Sequence, residues 1–285
     1  MDNEYAMIWT TTESYMPGTN AVLNALEFYG NKGIDVFILT WGDFLTEEYK
    51  NSFPKTVFEV IDPAWWPGKK AKWYLVLIDF EFALGNLFEK YKVILLWGAD
   101  VCLANYIGDY FKISQSLDKI IMGTNEHGAQ HYDFRNLSKK WPYKHTADVP
   151  FADVPLFIPK NKSYVLERVM EYQTRKNCAI DRMNGLNYAL RDCGEDIFPV
   201  PGEVWVHNVP TRIKLEYKDN KIRFANATTE LLSFHRKYWE KALCEKYFPI
   251  NEICRKNKML FNKMYNFLNR DLRVVWTENL EVWDG

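Results

Sequence analysis

A single carboxylate follows the most apolar segment of the chain, at a position suited to a divalent cation. Residues 92–97 read KVILLW, and Gly98, Ala99 and Asp100 come directly after them. Hard cations take carboxylate oxygens as ligands and share their coordination with substrate phosphates. Asp100 is therefore a candidate to hold a metal ion beside a phosphate, although an acid at a strand end can also simply cap the turn that follows.

Hydroxyl groups and an aromatic ring stand at the end of the first apolar segment, residues 6–12. Thr10, Thr11 and Thr12 end this segment, and Tyr15 follows three residues later. An aromatic ring can stack on a flat base while hydroxyl groups hydrogen-bond to its polar edges. The pattern indicates a cradle for a nucleoside, but a Thr-rich strand end is also ordinary in proteins that have none.

The standard nucleotide, hydrolase and zinc motifs are absent. The sequence contains no glycine-rich dinucleotide motif, no P-loop, no G-x-S-x-G and no H-E-x-x-H. His127 and His131 are four residues apart, but Gly128 between them disfavours the helix that a zinc pair would need. The five cysteines include no C-x-x-C pair, so neither a zinc cluster nor a disulfide framework is predicted. The two strand ends remain the strongest candidates for a site.

Apolar segments that alternate with helical patterns predict the sheet that positions these residues. Strands separated by helices indicate a parallel, doubly wound sheet, whose ligands bind beyond the carboxyl ends of the strands. The predicted strands are residues 6–12, 34–40, 56–62, 92–97 and 118–122, and the predicted helices between them are residues 19–29, 43–51 and 69–91.

The second half is predicted to be less regular. Residues 123–159 read as a long polar loop, and a hairpin is predicted around Lys218, Asp219 and Asn220. No internal repeat or low-complexity linker interrupts the chain, so one continuous domain is expected. The helices predicted in this half are residues 162–175, 181–191, 230–247 and 251–271.

The composition is that of an ordinary globular protein. Of the 285 residues, 47 % are apolar and 26 % are charged, and the formal net charge is −1. These values exclude a disordered chain and a uniformly basic nucleic-acid-binding protein. The charge is uneven, however, because residues 211–273 contain 15 Lys or Arg and 7 Asp or Glu. No leader peptide and no run of about 18 apolar residues is present, so we expect a cytoplasmic protein without a membrane span.

Four segments, taken in order, resemble one family of enzymes. They are residues 10–30 (TTTESYMPGTNAVLNALEFYG), 89–111 (EKYKVILLWGADVCLANYIGDYF), 181–201 (DRMNGLNYALRDCGEDIFPVP) and 234–241 (FHRKYWEK). They are similar to the opening Thr-Thr segment, the Asp-x-Asp strand, the Asp-Gln-x-x-Leu-Asn helix and the closing His … Lys-Pro-Trp motif of the family-8 retaining glycosyltransferases, the group of glycogenin and bacterial galactosyltransferases.

This resemblance implies a GT-A fold, which is a Rossmann-like α/β fold with a mixed, mainly parallel sheet flanked by helices. Residues 1–240 would form that domain, and residues 241–285 a C-terminal helical extension packed on it. The implied activity is that of a hexosyltransferase, which moves a sugar from a nucleoside-diphosphate sugar to a hydroxyl acceptor with retention of the anomeric configuration. The implied donor is a UDP-sugar. The implied cofactor is Mn²⁺ or Mg²⁺, and the acceptor would be a glycan, a small molecule or a nucleic acid.

The resemblance also implies roles for individual residues. The implied donor-binding residues are Thr10, Thr11, Thr12, Tyr15, Lys72, Gly98, Ala99, Asp100 and Lys237, and the implied metal ligands are Asp100 and His235. The family pattern names no nucleophile here, and the candidate catalytic acids to test first are Asp153 and Asp181.

Departures from the family pattern leave one alternative open, and the uneven charge of the chain leaves a second. Gly98 stands where the family has the first acid of Asp-x-Asp, and Tyr238 stands in place of the proline of the closing motif. A catalytically inactive protein that binds nucleotide sugars would tolerate these losses. Alternatively, the basic region at residues 211–273 interleaves aromatic and cationic side chains, as nucleic-acid grooves do, and the enzyme would then glycosylate a modified base.

Overall fold

The computed structural model describes residues 3–61, 75–99, 101–103, 105–123, 154–174, 182–195 and 197–200, and five short strands between residues 205 and 233. Its helices are α1 (Met16–Phe28), α2 (Glu47–Asn51), α3 (Leu75–Phe82), α4 (Gly108–Leu117), α5 (Tyr164–Thr174) and α6 (Arg182–Asp192). Its strands are β1 (Tyr5–Thr11), β2 (Ile34–Trp41), β3 (Thr56–Ile61), β4 (Val93–Leu96), β5 (Val101–Leu103), β6 (Ile120–Gly123), β7 (Leu156–Pro159), β8 (Ile197–Val200), β9 (Trp205–Val206), β10 (Glu216–Lys218), β11 (Lys221–Phe224), β12 (Ala227–Thr229) and β13 (Leu231–Ser233).

Seven strands form the main sheet, in the order β3-β2-β1-β4-β7-β6-β8. The first four run parallel to one another, β6 and β8 run parallel to each other, and β7 runs antiparallel to both of its neighbours. The mixed, mainly parallel sheet flanked by helices that the sequence predicts is therefore confirmed. The carboxyl ends of β1, β2 and β4 lie at one edge of this sheet.

The central strands are buried along most of their length. All four residues of β4 are 0 % exposed, and so are Ala6, Met7, Ile8 and Trp9 in β1. Such uninterrupted apolar runs are typical of parallel strands that helices cover on both faces. The residues that follow β1 and β4 are consequently attached to the ends of deeply buried strands.

Helices cover both faces of the sheet. On one face α1 contacts β1 through a hydrogen bond between Thr19 and Thr11, and α4 contacts β7 through the rings of Phe111 and Phe157, whose centroids are 4.8 Å apart. Side chains alternate along strands, so Phe37 points to the opposite face, where it packs against α3. Helix α5 packs against α3 and α6.

Buried polar contacts fix the orientation of α1. A proline in the first turn of this helix favours its start. Trp9 Nε1 donates to Thr19 Oγ1 at 3.2 Å, and Thr19 Oγ1 donates to Thr11 Oγ1 at 2.9 Å. Tyr49 of α2 donates its hydroxyl to the side-chain oxygen of Asn20. Burial raises the pKa of Tyr49 well above its usual value, so this hydroxyl keeps its proton and remains a donor.

A second sheet joins distant parts of the chain in the order β5-β13-β9. Strand β13 is antiparallel to β5, with Ser233 opposite Val101 and Leu231 opposite Leu103. The helix predicted over residues 230–247 is wrong at its start, because Leu231–Ser233 is extended and paired on both sides. The remainder of that predicted helix lies outside the described residues.

The hairpin predicted around residues 218–220 is confirmed. Strands β10 and β11 are antiparallel, with Tyr217 opposite Ile222 and Lys218 opposite Lys221. Strand β12 extends them into a third sheet of three strands.

Two further elements differ from the sequence prediction. The helix predicted over residues 69–91 corresponds to α3, which is followed by one turn of π-helix at Ala83–Leu87 instead of a continuous α-helix. The start of the predicted helix lies within residues 62–74, which are outside the described part of the chain. The loop predicted over residues 123–159 ends in β7, whose four residues are all buried. Four apolar residues show no periodicity that would distinguish a buried strand from a loop.

Several predicted features fall outside the described part of the chain. The extension predicted at residues 241–285 is one of them, as is most of the loop predicted at residues 123–159. Among the helices that are described, none has the length and apolar character that a membrane crossing requires.

Candidate functional site

The ends of β1, β2 and β4 bring three short segments together at the carboxyl edge of the main sheet. Thr11 of β1 is paired with Thr40 of β2, and Ile8 is paired with Leu96 of β4. Beyond Leu96 the pairing with β1 continues, because the Trp97 amide donates to the Ile8 carbonyl at 2.9 Å. The Thr-rich end of β1 and the segment that begins at Gly98 are therefore neighbours, as the sequence predicts for parallel strands.

The chain reverses direction after Trp97 in a turn that two hydrogen bonds close. The Val101 amide donates to the Gly98 carbonyl at 3.0 Å, which makes residues 98–101 a four-residue turn. The Trp97 indole Nε1 donates to the Val101 carbonyl at 3.1 Å, and this Trp side chain is buried. Asp100 lies outside the described residues, but both of its neighbours in sequence, Ala99 and Val101, are described.

The turn at residues 98–101 rests against the first turn of α1. A Cβ atom added at Gly18 would lie 2.4 Å from the Ala99 carbonyl oxygen, so only glycine permits this approach. Gly18 is buried, and α1 also packs against β5, the strand that follows the turn. Backbone contact between α1 and the turn thus sets the distance between the residues after β1 and the residues after β4.

The four predicted nucleoside-binding residues have different surroundings. Thr11 is buried, and its hydroxyl contacts Thr19 and the Met16 sulfur, at 3.9 Å, inside the protein. Thr12 and Tyr15 are partly buried, and the Tyr15 amide donates to the Thr12 carbonyl at 2.9 Å in the turn that precedes α1. The structure therefore gives Thr11 contacts that support α1, and leaves Thr12 and Tyr15 nearer the surface.

Thr10 carries a hydroxyl oxygen that is buried and has no hydrogen-bond partner among the described residues. Thr10 is one position away from Thr11 along β1, so its side chain points to the α3 face of the sheet rather than the α1 face. A buried hydroxyl without a partner is costly, and native proteins tolerate it mainly where a ligand or water completes the bond. Of the predicted nucleoside-binding residues, Thr10 is thus the one whose hydroxyl is buried without a partner among the described residues.

The second sheet connects the turn to the closing segment of the chain. Val101, the residue after Asp100, is opposite Ser233, and His235 follows Ser233 by two positions. Because β5 and β13 are antiparallel, the chain before Val101 and the chain after Ser233 extend from the same end of the pair. Strand pairing therefore joins the two segments that carry the predicted metal ligands.

The remaining predicted site residues lie outside the described part of the chain. Among the described residues, no group of three or more His, Cys, Asp or Glu side chains could hold a metal ion. The residues concerned are Lys72, Asp100, Asp153, Asp181, His235 and Lys237.

Three residues with clear roles at this edge have none in the sequence prediction. In the sequence, Trp97 is the last residue of an apolar strand, Gly18 lies in the break between the first predicted strand and the helix that follows, and Thr19 is the first residue of that predicted helix. The sequence offers one weak signal, a glycine followed by two polar residues near the start of a helix that also carries apolar residues at helical spacing. Their contacts appear only when β4 and α1 are brought together.

Comparison with known proteins identifies the fold. No family model and no curated protein matches the chain. Among solved structures, the bifunctional glycosyltransferase WbbM in its apo form has a TM-score of 0.59 and 12 % identity, covering 90 % of this chain and 52 % of the WbbM chain. This chain thus spans about half the length of WbbM. The fold is that of the GT-A glycosyltransferases.

The galactosyltransferase LgtC has the same architecture. An active-site mutant of LgtC gives a TM-score of 0.58, and the complex of LgtC with donor and acceptor sugar analogues gives 0.57. Each is 9 % identical to this chain and covers 93 % of it and 100 % of the LgtC chain. At these identities the likeness is one of fold, and it agrees with the GT-A fold that the sequence predicts.

Proposed function

We propose that this protein is a hexosyltransferase of the family-8 type, which transfers a sugar from a UDP-sugar to a hydroxyl acceptor with retention. The observation that carries the proposal is the turn at residues 98–101, which lies against α1 and beside the hydroxyl-bearing end of β1 at the carboxyl edge of the sheet. A nucleoside needs stacking and hydroxyl partners, which the end of β1 is suited to supply. A diphosphate needs positive charge, which a cation held by the carboxylate of the turn would supply.

The donor would bind across the two segments. Thr10, Thr11, Thr12 and Tyr15 would hold the nucleoside, with Thr11 acting mainly through its support of α1. Gly98, Ala99 and Asp100 would border the diphosphate, since residues without large side chains allow phosphate groups to approach the backbone. Outside the described part, Lys72 and Lys237 would add positive charge near the leaving group.

Pairing between β5 and β13 supports a metal site built from Asp100 and His235. Asp100 is bonded to Val101, His235 is two residues beyond Ser233, and two residues span about 7 Å at most. Both side chains can therefore reach one region, and a carboxylate with an imidazole suits Mn²⁺ while leaving positions for phosphate oxygens. When bound, Mn²⁺ or Mg²⁺ would neutralise negative charge on the departing diphosphate.

Transfer would break the bond between the anomeric carbon and the diphosphate oxygen, and form a bond from that carbon to the acceptor oxygen. The nucleoside diphosphate would leave with the electron pair, and the acceptor hydroxyl would lose its proton to a base. Asp153 and Asp181 are our candidates for acids at the reacting centre. Each directly precedes a described segment, Val154 in one case and α6 in the other.

The proposal is tested by measuring the melting temperature with UDP, other nucleoside diphosphates and their sugars, each with and without Mn²⁺ or Mg²⁺. We expect UDP or a UDP-sugar with metal to raise the melting temperature, because a ligand at a hundred times its Kd adds about 2.7 kcal/mol of stability. Release of UDP on adding an acceptor would then show transfer. If no nucleotide raises the melting temperature, the protein is not a nucleotide-sugar transferase.

A second function is favoured by one feature of the turn. Gly98 and Ala99 bring no carboxylate, so Asp100 is the only acid among residues 98–101. A protein with this turn could bind a nucleotide sugar without transferring it. Metal-dependent UDP binding without any release of UDP from the UDP-sugar, over many hours and with varied acceptors, would support this second function.

Thr10→Val tests the contribution of the partnerless hydroxyl to donor binding. Valine has nearly the same shape, so the free protein should keep its stability or gain about 1 kcal/mol, since a buried hydroxyl without a partner is removed. The Kd for UDP should rise about tenfold, which calorimetry measures directly. Thr11→Val is the matched variant, and it should lower stability by about 1–3 kcal/mol because it deprives Thr19 of its partner. An unchanged Kd for Thr10→Val would contradict the role of Thr10.

A further inference from the structure

The side chain of Trp97 joins the two sheets at the turn that carries Asp100. Its backbone amide is bonded to Ile8 in the main sheet, and its indole Nε1 is bonded to the Val101 carbonyl at the start of β5. Val101 in turn donates its amide to Gly98. The amide and the carbonyl of Val101 are therefore both hydrogen-bonded within residues 97–101, and the partner of the carbonyl is the side chain of Trp97.

This arrangement leaves little freedom at the turn. Trp97 is 1 % exposed, so its indole N–H has no access to water and depends on the Val101 carbonyl for its hydrogen bond. Gly98 has no side chain and Ala99 has only a methyl group, so neither can brace the turn with a side-chain hydrogen bond. The Ala99 carbonyl is against Gly18, so both the indole bond and the contact with α1 restrict the turn.

We propose that Trp97 is a positioning residue for the proposed metal and donor site, because its indole bond to Val101 fixes the turn that presents Asp100. This inference rests on the proposed function. A site with a single carboxylate in the turn depends more on how that carboxylate is oriented than a site with two. Groups that orient metal ligands typically change metal affinity by about 10–100-fold when they are removed.

Trp97→Phe tests the inference, because phenylalanine keeps an aromatic ring and loses the N–H. The quantity measured is the ratio of the UDP Kd without Mn²⁺ to the UDP Kd with Mn²⁺, determined by calorimetry well below the melting temperature. We expect this ratio to fall about 10–100-fold, while the Kd for UDP without metal stays within about twofold. A role limited to stability would lower the melting temperature and leave the ratio unchanged, and that result would overturn the inference.

Tyr91→Phe is the matched control. Tyr91 is also buried, and its hydroxyl donates to Asp35 Oδ2 at 2.6 Å, but it precedes β4 and so lies at the other end of that strand from Trp97. It should lower stability and preserve the ratio. If Trp97→Phe does not accumulate as folded protein, Trp97→Met also fills part of the space and has no hydrogen-bond donor in its side chain, so it gives the same comparison.

The outcomes separate the inference from the proposed function. If the wild-type protein shows no effect of Mn²⁺ on UDP binding, the metal-dependent donor site itself is wrong. If the wild-type protein shows the effect and Trp97→Phe shows it equally, the donor site is supported and the role of Trp97 is wrong. Partial recovery of the ratio in Trp97→His, whose ring again carries an N–H donor, would support the positioning role further.

Discussion

Asp100→Asn is expected to remove the metal dependence of donor binding and to lower the transfer rate by about a hundredfold or more. Asparagine keeps the shape of the side chain and loses its charge, and no other acid lies within residues 98–101 to replace it. Metal stabilisation of charge on a leaving group is worth several kcal/mol, which corresponds to at least this factor in rate. The measurements are the UDP Kd with and without Mn²⁺ and the initial rate of UDP release.

Asp109→Asn is the control for this substitution. Asp109 lies in the first turn of α4, is largely exposed, and forms an ion pair with Lys112 at 3.3 Å on the surface of the helix. Surface pairs of this kind contribute about 1 kcal/mol at most, so both the Kd and the rate should stay near the wild-type values. Metal-dependent binding that survives in Asp100→Asn would show that other residues hold the metal.

The main sheet could be predicted from the sequence because its strands are short apolar runs separated by helical patterns. Strands β1, β2, β3 and β4 lie within one or two residues of their predicted limits. Burial on both faces imposes a continuous apolar run on β4 and on most of β1. The position of the candidate site followed from the same reasoning, because parallel strands bring their carboxyl ends to one edge.

The second sheet could not be predicted, and the reason is physical. Strands β5 and β13 have three residues each, and they exist because they pair with each other across a long stretch of sequence. Leu231–Ser233 also fits a helical pattern that runs to residue 247, so local periodicity favours the wrong structure there. Tertiary pairing overrides local preference in such short segments.

Within the candidate site, the sequence indicates candidate ligand-binding residues better than the residues that position them. Thr10 and Asp100 are recognisable as candidates because a hydroxyl suits a nucleoside and a carboxylate suits a divalent cation. Trp97 and Gly18 act through one hydrogen bond and one close backbone approach, neither of which leaves a pattern in the sequence. Both contacts depend on how closely α1 and β4 approach.

Gly18→Ala is expected to disturb the site more than its small size suggests. The added Cβ would lie 2.4 Å from the Ala99 carbonyl oxygen, a distance that real structures essentially never show, and the obstructing atom belongs to the backbone. Either α1 or the turn at residues 98–101 must therefore move. Overpacking of this kind costs about 1–3 kcal/mol of stability, and the movement should raise the UDP Kd in the presence of Mn²⁺ by more than about tenfold.

Gly85→Ala is the matched control for Gly18→Ala, and the pair separates the close approach from the general effect of losing a glycine. Gly85 lies in the π-helical turn after α3, and a Cβ at this position meets nothing within 4 Å. Alanine there reduces the freedom of the unfolded chain, so stability should be unchanged or rise by about 0.4–1 kcal/mol, with the UDP Kd unaffected. Melting temperatures and calorimetry on the two variants side by side make the comparison. If Gly18→Ala binds UDP and Mn²⁺ as tightly as Gly85→Ala does, the contact between α1 and the turn is not what sets the geometry of the donor site.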